Sequence, residues 1–214
     1  MKSSNGRKSI SLKMIVVLVL AVLVAGAAIA FAIGTPKAEN KSDSLTGKHY
    51  VQIDIADYGT ITAELDADAA PITVDNFLKL VDEKFYDGLT FHRIISGFMI
   101  QGGDPNGNGT GGSDQKIKGE FQANGVENNI AHERGVLSMA RSMAYDSASS
   151  QFFIMHEKAP HLDGQYAAFG KVVTGMDVVD AICDTVPVVD QNGTVTKENQ
   201  PVITSIKRIE KPAE

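Results

Sequence analysis

Arg93 is the residue whose neighbours most suggest a chemical site. It stands in the stretch 91–104, FHRIISGFMIQGGD, where aromatic and β-branched side chains make strand-like runs on either side of Ser96-Gly97. Guanidinium groups are seldom buried without a partner, so Arg93 is either tied into a structural ion pair or held at a pocket wall. Gln101, just before the Gly102-Gly103 break, is a neutral amide able to hold that guanidinium without neutralising it. Other chemistries find less support. The histidines are His49, His92, His132, His156 and His161; the last two are five apart, but no HExxH pattern accompanies them, and no metal is expected. No GxSxG occurs, and Ser149-Ser150 read as turn residues. The single cysteine, Cys183, excludes an intramolecular disulfide and a cysteine zinc site. What remains is a pocket without a nucleophile, built from one arginine, one or two amides and large apolar side chains, and needing no cofactor.

The elements that must position this pocket are mostly strands. Val51, Ile53 and Ile55 alternate with polar residues, Tyr58-Gly59 turns the chain, and Thr60–Leu65 continues as a second strand. Further strands are expected at 91–95, 98–100, 135–140 (GVLSMA), 151–155 (QFFIM), 167–173 (AAFGKVV) and around Val202, Thr204 and Ile206. Helical spacing occurs over 71–86, where Val74, Phe77, Leu78 and Val81 share a face behind a Thr73 N-cap. It recurs over 176–183 through Met176, Val179 and Ile182. Asn192-Gly193 is the strongest hairpin signal, and 104–113 is a long glycine-rich loop without the Gly-Lys-Ser/Thr of a phosphate loop. Many short strands with two amphipathic helices indicate an all-β barrel or sandwich.

The N-terminal part differs. Residues 1–13 form a basic tail, and 14–33, MIVVLVLAVLVAGAAIAFAI, run for 20 residues without a charge, about the length of ~30 Å of bilayer hydrocarbon. A transmembrane helix is expected, with the basic flank inside and the bulk of the chain on the extracytoplasmic side, anchored to the cell membrane, or secreted if the segment is cleaved near Ala30. Residues 34–47 read as a flexible linker, and 48–214 as the folded domain. Up to residue 47 there are six Lys or Arg against two Asp or Glu; from 48 onwards there are 14 against 24. A domain of that acidity is a poor binder of nucleic acid, so a protein, peptide or small-molecule partner is expected.

FHRIISGFMIQGGD, the GTGG of 109–112, GVLSMA, SSQFF and HLDGQYAAFGKV, in that order and spacing from about Tyr50 to Ile209, resemble the cyclophilin family of peptidyl-prolyl cis-trans isomerases, with a bacterial flavour. The resemblance implies an eight-stranded antiparallel closed β-barrel capped by two α-helices, with the groove on its outer face. It implies that Arg93 is the catalytic cation and that Gln101 orients it and touches substrate. Phe98, Met99, Phe153 and Leu162 would then form the proline pocket, with Ala140 and Gln151 along the groove. His161 stands where the best-known eukaryotic members carry a tryptophan, Tyr166 where they carry a histidine, and Arg141 where they carry an asparagine whose backbone meets the peptide. Turnover on proline-containing peptides and folding proteins is implied, by a monomer that binds cyclosporin weakly. A rival from another class keeps the groove as a proline-peptide-binding chaperone or scaffold with little turnover.

Overall fold

The computed structural model describes residues 44–212. The basic tail 1–13, the predicted span 14–33 and nearly all of the predicted linker 34–47 lie outside them. Among the described residues, no helix is long and apolar enough to cross a membrane.

Alternation builds the first strands. In β1 (Lys48–Ile55), Val51, Ile53 and Ile55 are buried while Gln52 and Asp54 face outward; the chain reverses through Asp57 and Gly59 into β2 (Gly59–Asp66). Then come β3 (Phe91–Ile95), β4 (Met99–Gly102), β5 (Val136–Met139), β6 (Phe152–Met155), β7 (Ala168–Thr174) and β8 (Ile203–Ile209). All pairings are antiparallel, in the order β3-β4-β6-β5-β7-β2-β1-β8. Just past β4, Gly103 stands at φ +79°, and a Cβ there would lie 2.6 Å from the Ser150 carbonyl, so the position requires glycine.

The helices are α1 (Pro71–Asp82) and α2 (Met176–Thr185). The expected apolar face of α1 is in place, and Phe77 packs among the rings of Tyr86, Phe152 and Phe169 at 5.1–5.4 Å. Its start and end differ from expectation. Ala70, not Thr73, is the N-cap, and the first-turn donors are satisfied from far along the chain: the Glu120 carboxylate accepts from Ile72 N–H, Thr73 N–H and the Thr73 hydroxyl at 2.7–3.0 Å. The helix stops at Asp82 rather than near Tyr86, since Lys84 takes a left-handed conformation at φ 57°.

The sheet is curled but not closed, which corrects the expected barrel. Its edge strands β3 and β8 meet at one end only, where Thr90 bridges Val202 and Phe91 N–H donates to Pro201 O at 3.0 Å. Beyond that point the bonding groups of β3 are taken by a loop: Ile94 N–H donates to Gly193 O at 2.8 Å, and Val195 N–H to His92 O at 3.1 Å. The Asn192-Gly193 turn therefore forms without the hairpin expected around it. Asp190 ties it, accepting from the Thr194 N–H and hydroxyl at 3.0 and 2.9 Å; Val189 N–H closes on Thr194 O at 2.9 Å, but no strand extends from the turn, and 193–195 pairs with β3.

Two apolar clusters lie on the two faces of this curl. The larger one, inside, contains Phe152, Ile154, Leu137 and Ile100 with both helices. The smaller one, outside, contains Phe153, Met155, Val136 and Met99. GVLSMA and QFFIM read as near-continuous apolar runs because successive side chains are buried alternately on the two faces.

Candidate active site

The register of four strands sets the site. Arg93 on β3 pairs with Gln101 on β4, Gln101 with Phe153 on β6, and Phe153 with Ser138 on β5. These side chains form one row on the outer face.

Arg93 is held at the wall of a hollow, and neither of its acceptors is a carboxylate. Its Nε donates to the Asn192 main-chain carbonyl at 2.8 Å, and its Nη1 to Gln101 Oε1 at 3.2 Å, while Nη2 donates to none of the described residues. Burial pulls its pKa below the ordinary arginine value, opposed by Tyr166 and Asp190; a guanidinium still keeps its charge. The donor direction then propagates. With Oε1 facing Arg93, Gln101 Nε2 donates to Gln151 Oε1 at 2.9 Å, and Gln151 Nε2 donates to the carbonyls of Gly111 and Gly109 at 2.7 and 3.2 Å. The far end of this relay rests on the 104–112 loop, folded around the buried Asp104, whose carboxylate accepts three backbone N–H groups.

The hollow has a volume of about 380 Å³. Its lining comprises Arg93, Phe98, Met99, Gln101, Ala140, Arg141, Phe153, His161, Leu162 and Tyr166, so ten of the eleven residues singled out in the sequence come together. Gln151, the eleventh, lines an adjoining hollow of about 260 Å³ that shares Gln101, Ala140 and Arg141 as a wall. Met99, Phe153 and Leu162 are buried and make the floor. Phe98 is half-buried and stacks on the exposed His161 at 5.7 Å; Tyr166 meets Phe153 edge-on at 6.0 Å. The Arg141 side chain is spoken for elsewhere: its guanidinium lies 4.6–5.1 Å from the rings of Phe121, Tyr145 and Tyr166 and donates to the Gln165 carbonyl at 2.8 Å.

Other contributors carry no sequence signal. The Asn192 carbonyl is a main-chain group. His132 is buried behind Phe153, stacked at 6.1 Å; its Nδ1–H donates to Asp163 at 2.9 Å, so Nε2 accepts from the Ser138 hydroxyl at 3.0 Å. Burial lowers its pKa, with Asp163 opposing. Among the described residues no cluster of His, Cys, Asp and Glu is arranged to hold a metal ion.

Residues 50–208 match the family described as cyclophilin type peptidyl-prolyl cis-trans isomerase/CLD. Peptidyl-prolyl cis-trans isomerase B of Bacillus subtilis is 47% identical over 144 residues, covering 67% of this chain and 92% of that protein. A peptidyl-prolyl cis-trans isomerase of Helicobacter pylori is 45% identical over 126 residues, 58% of this chain and 75% of its own. Among solved structures, a Cryptosporidium parvum cyclophilin type peptidyl-prolyl cis-trans isomerase superposes with a TM-score of 0.68 at 30% identity, covering 78% of this chain and 100% of that one. A structure of that protein determined in the presence of the dipeptide Ala-Pro gives a TM-score of 0.66 at 31% identity.

Proposed function

Because the chain belongs to the cyclophilin-type peptidyl-prolyl cis-trans isomerases, we propose that it turns X–Pro bonds of exported proteins by clasping the twisted imide with Arg93. The observation that carries this reading is a guanidinium at the wall of an apolar hollow, held only by neutral acceptors and with Nη2 left over.

Rotation about an X–Pro bond is slow, tens to hundreds of seconds, because it breaks amide conjugation. Bringing it to milliseconds requires about 10⁵-fold acceleration, roughly 7 kcal/mol. No bond need be made or broken. As conjugation is lost, the proline nitrogen regains a lone pair, and a fixed N–H donor binds that state with no equivalent in the planar one. Met99, Phe153 and Leu162 hold the ring, and their hydrocarbon keeps water from weakening the Arg93 contact. Phe98 and His161 close one side, and with an imidazole in place of an indole, cyclosporin binds weakly.

In a protease-coupled proline-peptide assay on the full chain, Arg93→Ala loses about 10²- to 10³-fold in kcat/KM, the scale of one electrostatic stabiliser. An unchanged rate beside an active wild type overturns the mechanism; an inactive wild type that still binds proline peptides favours the chaperone reading. We further propose that 14–33 hold the domain at the outer face of the cell membrane. The full chain then sediments with membranes and is shaved from intact cells by added protease, whereas resistance to shaving places it inside.

A further inference from the structure

The Phe98 side of the hollow is gripped by a residue the proposed reaction does not use. Ser96-Gly97 is the turn between β3 and β4, with Gly97 at φ +77° and Phe98 N–H closing it on Ile95 O at 2.9 Å. His156, at the end of β6, holds this turn twice. Its main-chain N–H and that of Glu157 both donate to the Phe98 carbonyl, at 2.9 and 3.3 Å, and its ring Nδ1 accepts from Gly97 N–H at 2.8 Å. An imidazole nitrogen that accepts carries no proton, so the ring proton is on Nε2, which lies 3.2 Å from Asp180 Oδ1 on α2. Asp180 cannot swing away, because Arg134 Nη2 donates to both its oxygens at 2.7 Å while Nη1 holds the His156 carbonyl at 2.7 Å. Glu157, 3.8 Å from Arg134, is the other charge facing this cluster.

We propose that His156 is a positioning residue: through the Nδ1 that accepts from Gly97 N–H, with Nε2–H beside Asp180, it holds the 96–98 turn so that Phe98 is presented to the prolyl ring. The cluster is itself tightly satisfied, so the imidazole acts through the main chain of Gly97 and touches no substrate. This rests on the isomerase reading above and adds a residue to it. Phe98 grips the ring in the planar and twisted states alike, so loosening it raises KM and leaves kcat nearly unchanged.

The test compares three variants of the full chain in the same peptide assay. His156→Asn puts its amide oxygen where Nδ1 was, whereas His156→Gln reaches the position of Nε2 and His156→Ala provides no acceptor. His156→Gln and His156→Ala raise KM roughly three- to tenfold, the factor one hydrogen bond carries, and His156→Asn recovers most of it. Equal KM in all three, or losses that follow melting temperature and appear in kcat, overturn the proposal. If the variants fail to fold, the wild type still decides it: ring ¹⁵N shifts showing the Nε2–H tautomer and slow exchange of the Gly97 amide support the proposal, while an Nδ1–H tautomer or a fast-exchanging amide refutes it. An inactive wild type would overturn the isomerase reading instead, a distinguishable failure.

Discussion

At the scale of single residues, the notable feature of Arg93 is that both groups accepting its hydrogen bonds are neutral. On the proposed mechanism, a carboxylate in place of Gln101 Oε1 would bind it more tightly and spoil it, because a neutralised guanidinium offers less to a developing lone pair. Gln101→Glu is therefore expected to lower kcat/KM more than Gln101→Ala, by about tenfold or more, although it is the closer match in shape; the proline-peptide assay on both variants checks this. This pair was legible in the sequence, since a cation and an amide eight positions apart across a tight turn face each other in a two-stranded ladder. The Asn192 brace was not, because every residue carries a carbonyl and nothing marks the one that will be used. The surroundings of the Arg141 side chain were not legible for a related reason: Phe121, Tyr145 and Tyr166 come from three separate segments, and only folding gathers them around it.

At the scale of elements, local patterns located the strands and helices, and distant carboxylates tie them together. Glu120 serves the first turn of α1 from 47 and 48 positions away, which no capping signature can announce. Asp54 on β1 does the same for the sheet. Burial pushes its pKa up, but hydrogen bonds from Gln52, Thr60, Ser205 and Lys207 win and hold it at about 2, below the ordinary 3.8. The folded chain thus releases this proton more readily than the unfolded one, so the stabilisation is complete above about pH 4 and fades as pH falls towards 2. Asp54→Ala is expected to cost about 1–3 kcal/mol at neutral pH by leaving donors of β1, β2 and β8 unpaired. Urea midpoints of the two proteins converge on acidification; a constant gap would show that the carboxylate charge is not what matters.

At the scale of the whole molecule, two imidazoles are folded away uncharged. Burial lowers the pKa of both His92 and His132 from 6.5, and neither ring nitrogen of His92 has a hydrogen bond among the described residues. Below pH 6.5 the unfolded chain takes up protons that the folded one refuses, so stability is full above that value and declines as pH falls. His92→Phe is expected to flatten the acid limb of a plot of melting temperature against pH, and an unaltered limb would assign the loss to other groups. Antiparallel β architecture with two helices followed from alternation, whereas the unclosed curl did not, because nothing local reveals that the 193–195 loop reaches β3 first. That loop also bears on the company such a protein keeps. Nascent and misfolded polypeptides seek vacant main-chain rungs to extend into amyloid-like ladders, and here the flank nearest the groove is already shielded by its own chain. A further strand would therefore meet, along that stretch of β3, a border that is already in use.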